Sequence, residues 1–102
     1  MHDKIEVNIR IPNKTRYLSL IGNIGENLAR TLDRYGRDRE ELAYHINLVL
    51  TESIANAMIH GNVADPDKEV HISIGIDNDC LRIRVHDQGQ GFDINYLPPP
   101  DE

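Results

Sequence analysis

Val70-His-Ile-Ser-Ile-Gly-Ile76, a turn at Asp77-Asn78-Asp79, and Leu81-Arg-Ile-Arg-Val-His86 form the stretch from which the rest of the chain can be placed. Apolar residues occupy every second position in both arms. Period two is the signature of a strand with one buried face. The short polar connection makes the pair a β-hairpin. Residues 5–11 repeat the pattern, with Ile5, Val7, Ile9 and Ile11 on one side and Glu6, Asn8 and Arg10 on the other. Pro12 ends that strand. Three strands, each apolar on one face, predict a sheet covered on one side only.

The cover lies between the first strand and the hairpin. Asn13 is placed to cap a helix running through Leu18, Leu20, Ile21, Ile24, Leu28, Leu32 and Tyr35. Leu20, Ile24, Leu28 and Leu32 make its apolar stripe. Gly22 and Gly25 each weaken it by up to about 1 kcal/mol relative to Ala, unless they allow close approach of a neighbouring backbone. Gly36 is its predicted stop. Asp38, with Glu41 three residues on, fits a capping box for a second helix reaching about His60. Leu42, Ile46, Val49, Leu50, Ser53 and Ala57 are its core-facing stripe, and Gly61 ends it. A loop follows, with a turn at Asp65-Pro66. The fold class is therefore α/β in the α+β sense: a two-layer sandwich with helices on one face of a mostly antiparallel sheet.

The bulk properties narrow the function classes. A chain of 102 residues is one domain with one core. A net charge of −6 argues against general nucleic-acid binding, which needs clustered Lys and Arg. No apolar run approaches the roughly 20 residues of a membrane span, and Met-His-Asp-Lys-Ile-Glu is too polar for a signal peptide. Cys80 is the single cysteine, which excludes an internal disulfide and a cysteine-rich zinc site. The five histidines show no compact ligand spacing. A cytoplasmic protein is expected.

Two short runs carry the chemistry. The first is Thr51-Glu-Ser-Ile-Ala-Asn-Ala-Met-Ile-His-Gly-Asn62. At about 100° per residue, Glu52 and Asn56 project roughly 40° apart on one flank of the buried stripe, and His60 falls near the stripe itself. The second is Asp87-Gln-Gly-Gln-Gly-Phe92, directly after the hairpin. Taken singly these features are common: a Glu and an Asn at helical spacing are usually a solvated flank, and turns use Asp and Gly freely. Their conjunction is specific. A Glu takes a proton from an attacking hydroxyl. An Asn carboxamide oxygen is a neutral hard ligand suited to Mg2+. An Asp at a strand end accepts from an exocyclic amine, and glycines admit a nucleotide close to the backbone.

The run Glu52 to Asn62 resembles the N-box of the GHKL ATPases, and Asp87-Gln-Gly-Gln-Gly-Phe92 resembles their first glycine box. Within that superfamily the chain is similar to the anti-sigma-factor serine kinases. The resemblance implies a Bergerat-type fold over residues 1–102, with ATP and Mg2+ as cofactors. Carried over by position, Glu52 is the general base and Asn56 the Mg2+ ligand. Asp87 binds the adenine amino group, Gly89 and Gly91 line the nucleotide, and His60 stands at the site's edge. The implied partners are a sigma factor, held inactive, and a STAS-type antagonist phosphorylated on serine; a homodimer is common in the group. Arg16, Arg30, Arg34 and Arg37 offer a partner surface on and beyond the first helix. The family's second glycine box and ATP lid follow a stretch like Phe92–Pro99, so the domain is expected to be incomplete at its C-terminus. Two alternatives remain: a non-catalytic partner-binding module with vestigial ATP binding, and a histidine-kinase catalytic domain.

Overall fold

The structure, a computed structural model, describes residues 4–32, 39–77 and 80–88, and the backbone of residues 92–96. The first strand, β1 (Lys4–Pro12), is followed by helices α1 (Leu18–Ala29) and α2 (Arg39–Asn56). Strands β2 (Glu69–Asp77), β3 (Cys80–His86) and β4 (Phe92–Tyr96) complete the order. The sheet runs β1-β2-β3-β4, and every neighbouring pair is antiparallel. Asp77↔Cys80 is the last pair of the β2–β3 ladder, so a two-residue connection closes the hairpin where the sequence predicts its turn.

Among the described residues the expectation of three strands is corrected to four. Strand β4 pairs with β3 from Val85↔Phe92 to Leu81↔Tyr96. Its period-two signal was present, since Phe92, Ile94 and Tyr96 alternate with Asp93 and Asn95. Five residues between a glycine loop and a proline run are easily taken for loop, because a short alternation is weak evidence alone.

The hairpin buries the residues its pattern nominates: Val70, Ile72, Ile74, Ile76, Leu81, Ile83 and Val85 are all at most 6% exposed. Along β1 the burial is graded. Ile11 is buried, Ile9 and Val7 are half-buried, and Ile5 is 37% exposed. On the other face of the sheet, Glu6, Asn8, Arg10, His71, Arg82, Arg84 and His86 meet solvent. The core joins the inner sheet face to Ile21 and Ala29 of α1 and to Leu42, Ile46, Leu50 and Ile54 of α2. This is the two-layer sandwich that the sequence predicts.

Helix α1 departs from expectation in three ways. Asn13 does not cap it. A 3-10 turn at Thr15–Tyr17 intervenes, and neither it nor α1 carries a side-chain cap. Asn13 is instead buried, and its Nδ2 donates to Asp65 O at 2.9 Å and Met58 O at 3.3 Å. The buried face is Ile21, Gly22, Gly25 and Ala29, while Leu20 stands 53% exposed and Ile24 and Leu28 are half-buried. The two glycines explain the rotation of the stripe. A Cβ at Gly25 would overlap Leu50 Cδ1, and one at Gly22 would overlap the Asn47 carboxamide. Side chains of α2 sit in the grooves that the missing Cβ atoms leave. The regular α-helix ends at Ala29; Tyr35, Gly36 and Asp38, and with them the predicted stop and capping box, lie outside the described residues.

Arg30 ties the two helices at the surface. Its Nε donates to Glu40 Oε2 at 2.9 Å and its Nη2 to Glu26 Oε1 at 3.0 Å. The bond to Glu40, then that to Glu26, holds the guanidinium pKa above its ordinary value despite partial desolvation. Such exposed pairs add little stability, so the packing at Gly22 and Gly25 dominates this interface.

The second helix also differs at its end. Its α-helical part stops at Asn56, and Ala57–Gly61 form a π turn rather than a continued α-helix to His60. The Asn62 N–H reaches back to Ala57 O at 2.8 Å and the Ala64 N–H to Met58 O at 2.8 Å. Val63 and Ala64 then reverse the chain at φ 46° and 58°. Isolated π turns within helices occur frequently at functional sites.

Candidate functional site

Helix α2 carries the first run into place. Ile54, Ala57 and Met58 are buried, which leaves Glu52, Asn56 and His60 exposed. Glu52 and Asn56 share a flank because they are four residues apart in regular α-helix. His60 falls inside the π turn and points to solvent, not toward the buried stripe expected for it.

The π turn delivers Gly61 against Asp87. A Cβ on Gly61 would overlap Asp87 Oδ2 and Cγ. Asp87 is half-buried and follows directly on the last residue of β3. The Asp87 carboxylate thus occupies the space beside Gly61 at a strand end, where only glycine leaves room. Gly89 and Gly91 lie outside the described residues.

Asn62 makes the second junction, and sequence reasoning gave it no role. It is 0% exposed, and its side chain spends every polar atom. Its Nδ2 donates to Glu69 O at 2.9 Å and to Asn13 Oδ1 at 3.3 Å, and its Oδ1 accepts from the Gln88 N–H at 2.8 Å. Gln88 Oε1 in turn accepts from the Glu69 N–H at 2.8 Å. A buried polar group needs such partners, because leaving one unmade costs about 1–3 kcal/mol. The available signal was Asn62 immediately after the helix-ending glycine. It could not be distinguished from an ordinary turn asparagine without knowing what lay beneath it.

The two sequence runs therefore meet at two points, Gly61 on Asp87 and Asn62 on Gln88. Asn56 and Glu52 stand about one and two turns further back on the same helix. The arrangement offers an acceptor carboxylate at a strand end, a neutral amide oxygen and an exposed carboxylate. Beside the π turn runs a groove of about 370 Å³ lined by Asn13, Lys14, Thr15, Arg16, Met58, Ile59 and Ala64. Arg16 lies over the Tyr17 ring, 5.1 Å from its centroid. Among the described residues no helix is long and apolar enough to cross a membrane.

Residues 13–102 match the model of the histidine kinase-like ATPase domain. The chain belongs to that family. It is similar to the serine-protein kinase RsbW of Listeria innocua, 32% identical over 94 residues, covering 92% of this chain and 56% of that protein. The serine-protein kinase RsbW of Bacillus licheniformis is 30% identical over 89 residues, 87% of this chain and 53% of the relative. That of Bacillus subtilis is 27% identical over the same length and shares. The chain thus spans about half the length of the curated relatives it matches.

Proposed function

We propose that this chain is the nucleotide-binding part of an ATP-dependent serine protein kinase. In that reading it restrains a sigma factor and phosphorylates a STAS-type antagonist on serine, in the cytoplasm. The observation that carries the proposal is the seating of Asp87 on Gly61, which joins the helix-borne Glu52 and Asn56 to a carboxylate suited to an adenine amino group. The likeness to serine-protein kinases over most of this chain supports it.

Each residue has a defined task. Asp87 accepts a hydrogen bond from the adenine amino group and orients the base. Asn56 is exposed and neutral, so its Oδ1 fits one position on Mg2+, which takes few protein ligands and keeps water and phosphate oxygens. When bound, Mg2+ supplies charge neutralisation on the phosphates. Glu52 takes the proton from the substrate serine Oγ as that oxygen bonds to the γ-phosphorus, and the bond from that phosphorus to ADP breaks. Gly89 and Gly91 line the nucleotide, and His60 stands at the rim. Arg16, in its groove beside the π turn, belongs to the partner-facing surface.

The test is calorimetric titration of ATP and ADP into the chain, with and without Mg2+. Binding that strengthens with Mg2+ and loses that gain in Asn56→Ala supports the reading. A folded protein that binds neither nucleotide overturns it and leaves a partner-binding module. Leu20, Tyr44, Leu48 and Ile59, apolar and exposed on the helical layer, favour partner binding in either case.

A further inference from the structure

The hydrogen bonds around Asn62 close into a ring. Asn62 Nδ2 donates to Glu69 O, the Glu69 N–H donates to Gln88 Oε1, and the Gln88 N–H donates to Asn62 Oδ1. Three separate elements meet there: the end of the π turn, the first residue of β2, and the residue after Asp87. Each member makes two of the three bonds, so displacing any one of them breaks two. Asn13 braces the ring by accepting the other Asn62 hydrogen while donating to Met58 O and Asp65 O.

Asp87 is caught between this ring and the sheet. On its N-terminal side His86 is the final β3 residue, paired with His71. On its C-terminal side the Gln88 N–H is fixed by Asn62. The backbone of Asp87 is therefore held at both ends, and its carboxylate is pressed on Gly61.

We propose that Asn62 and Gln88 are positioning residues that set the base preference of the site. This rests on the reading of Asp87 as the adenine acceptor. A fixed carboxylate favours an amine at position 6 of the purine. It repels the carbonyl oxygen that guanine presents there, because two acceptors face each other. A carboxylate free to pivot relieves that repulsion and loses part of the adenine bond. Loosening the ring thus lowers selectivity, not merely affinity.

The experiment is titration of ADP and GDP into the parent chain, Gln88→Met and Gln88→Glu, with folding checked by circular dichroism. Gln88 is exposed, so its variants retain the core. Met keeps the length and removes the acceptor; Glu restores an acceptor. ADP and GDP carry the same charge, so the ratio of their affinities cancels the charge added by Glu. Losing one hydrogen bond is expected to lower the ADP-over-GDP ratio about threefold to tenfold in Gln88→Met, with recovery in Gln88→Glu. Asn62→Ala, which opens the ring at two bonds, is expected to lower it further. A Gln88→Met protein whose ratio stays within twofold of the parent overturns the positioning role while leaving the nucleotide site standing. A parent that binds neither nucleotide, or both equally, overturns the adenine reading of Asp87 itself.

Discussion

Gly61 and Asp87 occupy each other's space: the carboxylate of Asp87 fills the volume that a side chain on residue 61 would need. The contact links the end of the N-box-like run to the start of the glycine-rich run, 26 positions apart in the chain. It explains why a glycine stands there without appeal to backbone conformation, since the φ of Gly61 lies outside the left-handed region.

Gly61→Ala must therefore displace the carboxylate. The expected stability loss is about 1–3 kcal/mol, the usual range for forcing extra volume into a packed contact. Combining it with Asp87→Ala removes the obstructing atoms, so the second loss is expected to shrink by at least half. Denaturant midpoints of the two single variants and the double variant measure this coupling. Strictly additive losses would mean that the two residues do not share the contact.

The site was only partly legible in the sequence. Period-two alternation identified β1, β2 and β3 because each sheds one face to solvent, and it placed every buried residue of the hairpin. Helical spacing put Glu52 and Asn56 on one side of α2, but both are exposed where the sequence suggested a flank beside the core. Helix α1 was rotated because Leu20, Ile24 and Leu28 look like part of a core stripe, whereas of the four residues expected there only Leu32 is buried. The real contact surface uses Gly22 and Gly25, residues without a hydrophobic side chain to announce it. Asn13 was read locally, as a cap, whereas its partners lie 45 and 52 positions away. The π turn escaped for the same reason. Its geometry accompanies the burial of Asn62 against the sheet, a tertiary demand that local propensity does not encode.

The reassigned face of α1 makes a paired prediction. Leu20→Gln is expected to change stability by less than about 0.5 kcal/mol, as for an ordinary surface site. Ile21→Ala, at a residue 0% exposed, is expected to cost about 2–5 kcal/mol. Urea unfolding of both variants checks the pair. A larger loss at Leu20 than at Ile21 would restore the stripe read from sequence.

Val63 is a β-branched residue at φ 46°, with 69% of its surface exposed. The left-handed region costs an L-residue roughly 1–2 kcal/mol, and Asn tolerates it better. Little burial is lost on replacement. Val63→Asn is expected to stabilise the chain by about 0.5–1 kcal/mol, which for a domain of this size raises the Tm by a few degrees. Calorimetric scanning of the two proteins decides it; a lower Tm in the variant would mean that Val63 makes a contact outweighing its backbone cost.

Glu52 allows binding and chemistry to be separated. Its side chain is exposed on the flank of α2, so Glu52→Gln preserves shape and is expected to leave stability within about 0.5 kcal/mol of the parent. It stands more than one helical turn from the Asn62 ring, so ADP affinity is expected to stay within twofold. What Gln cannot do is accept the serine proton. If Glu52 is the base, phosphorylation of a STAS-type antagonist falls by about 10²–10⁴-fold, the range for a positioned general base. Single-turnover transfer from labelled ATP reads that step apart from nucleotide binding. A fall in rate matched by an equal fall in ADP affinity would instead make Glu52 a nucleotide-binding residue. An unchanged rate would move the proton acceptor to another side chain.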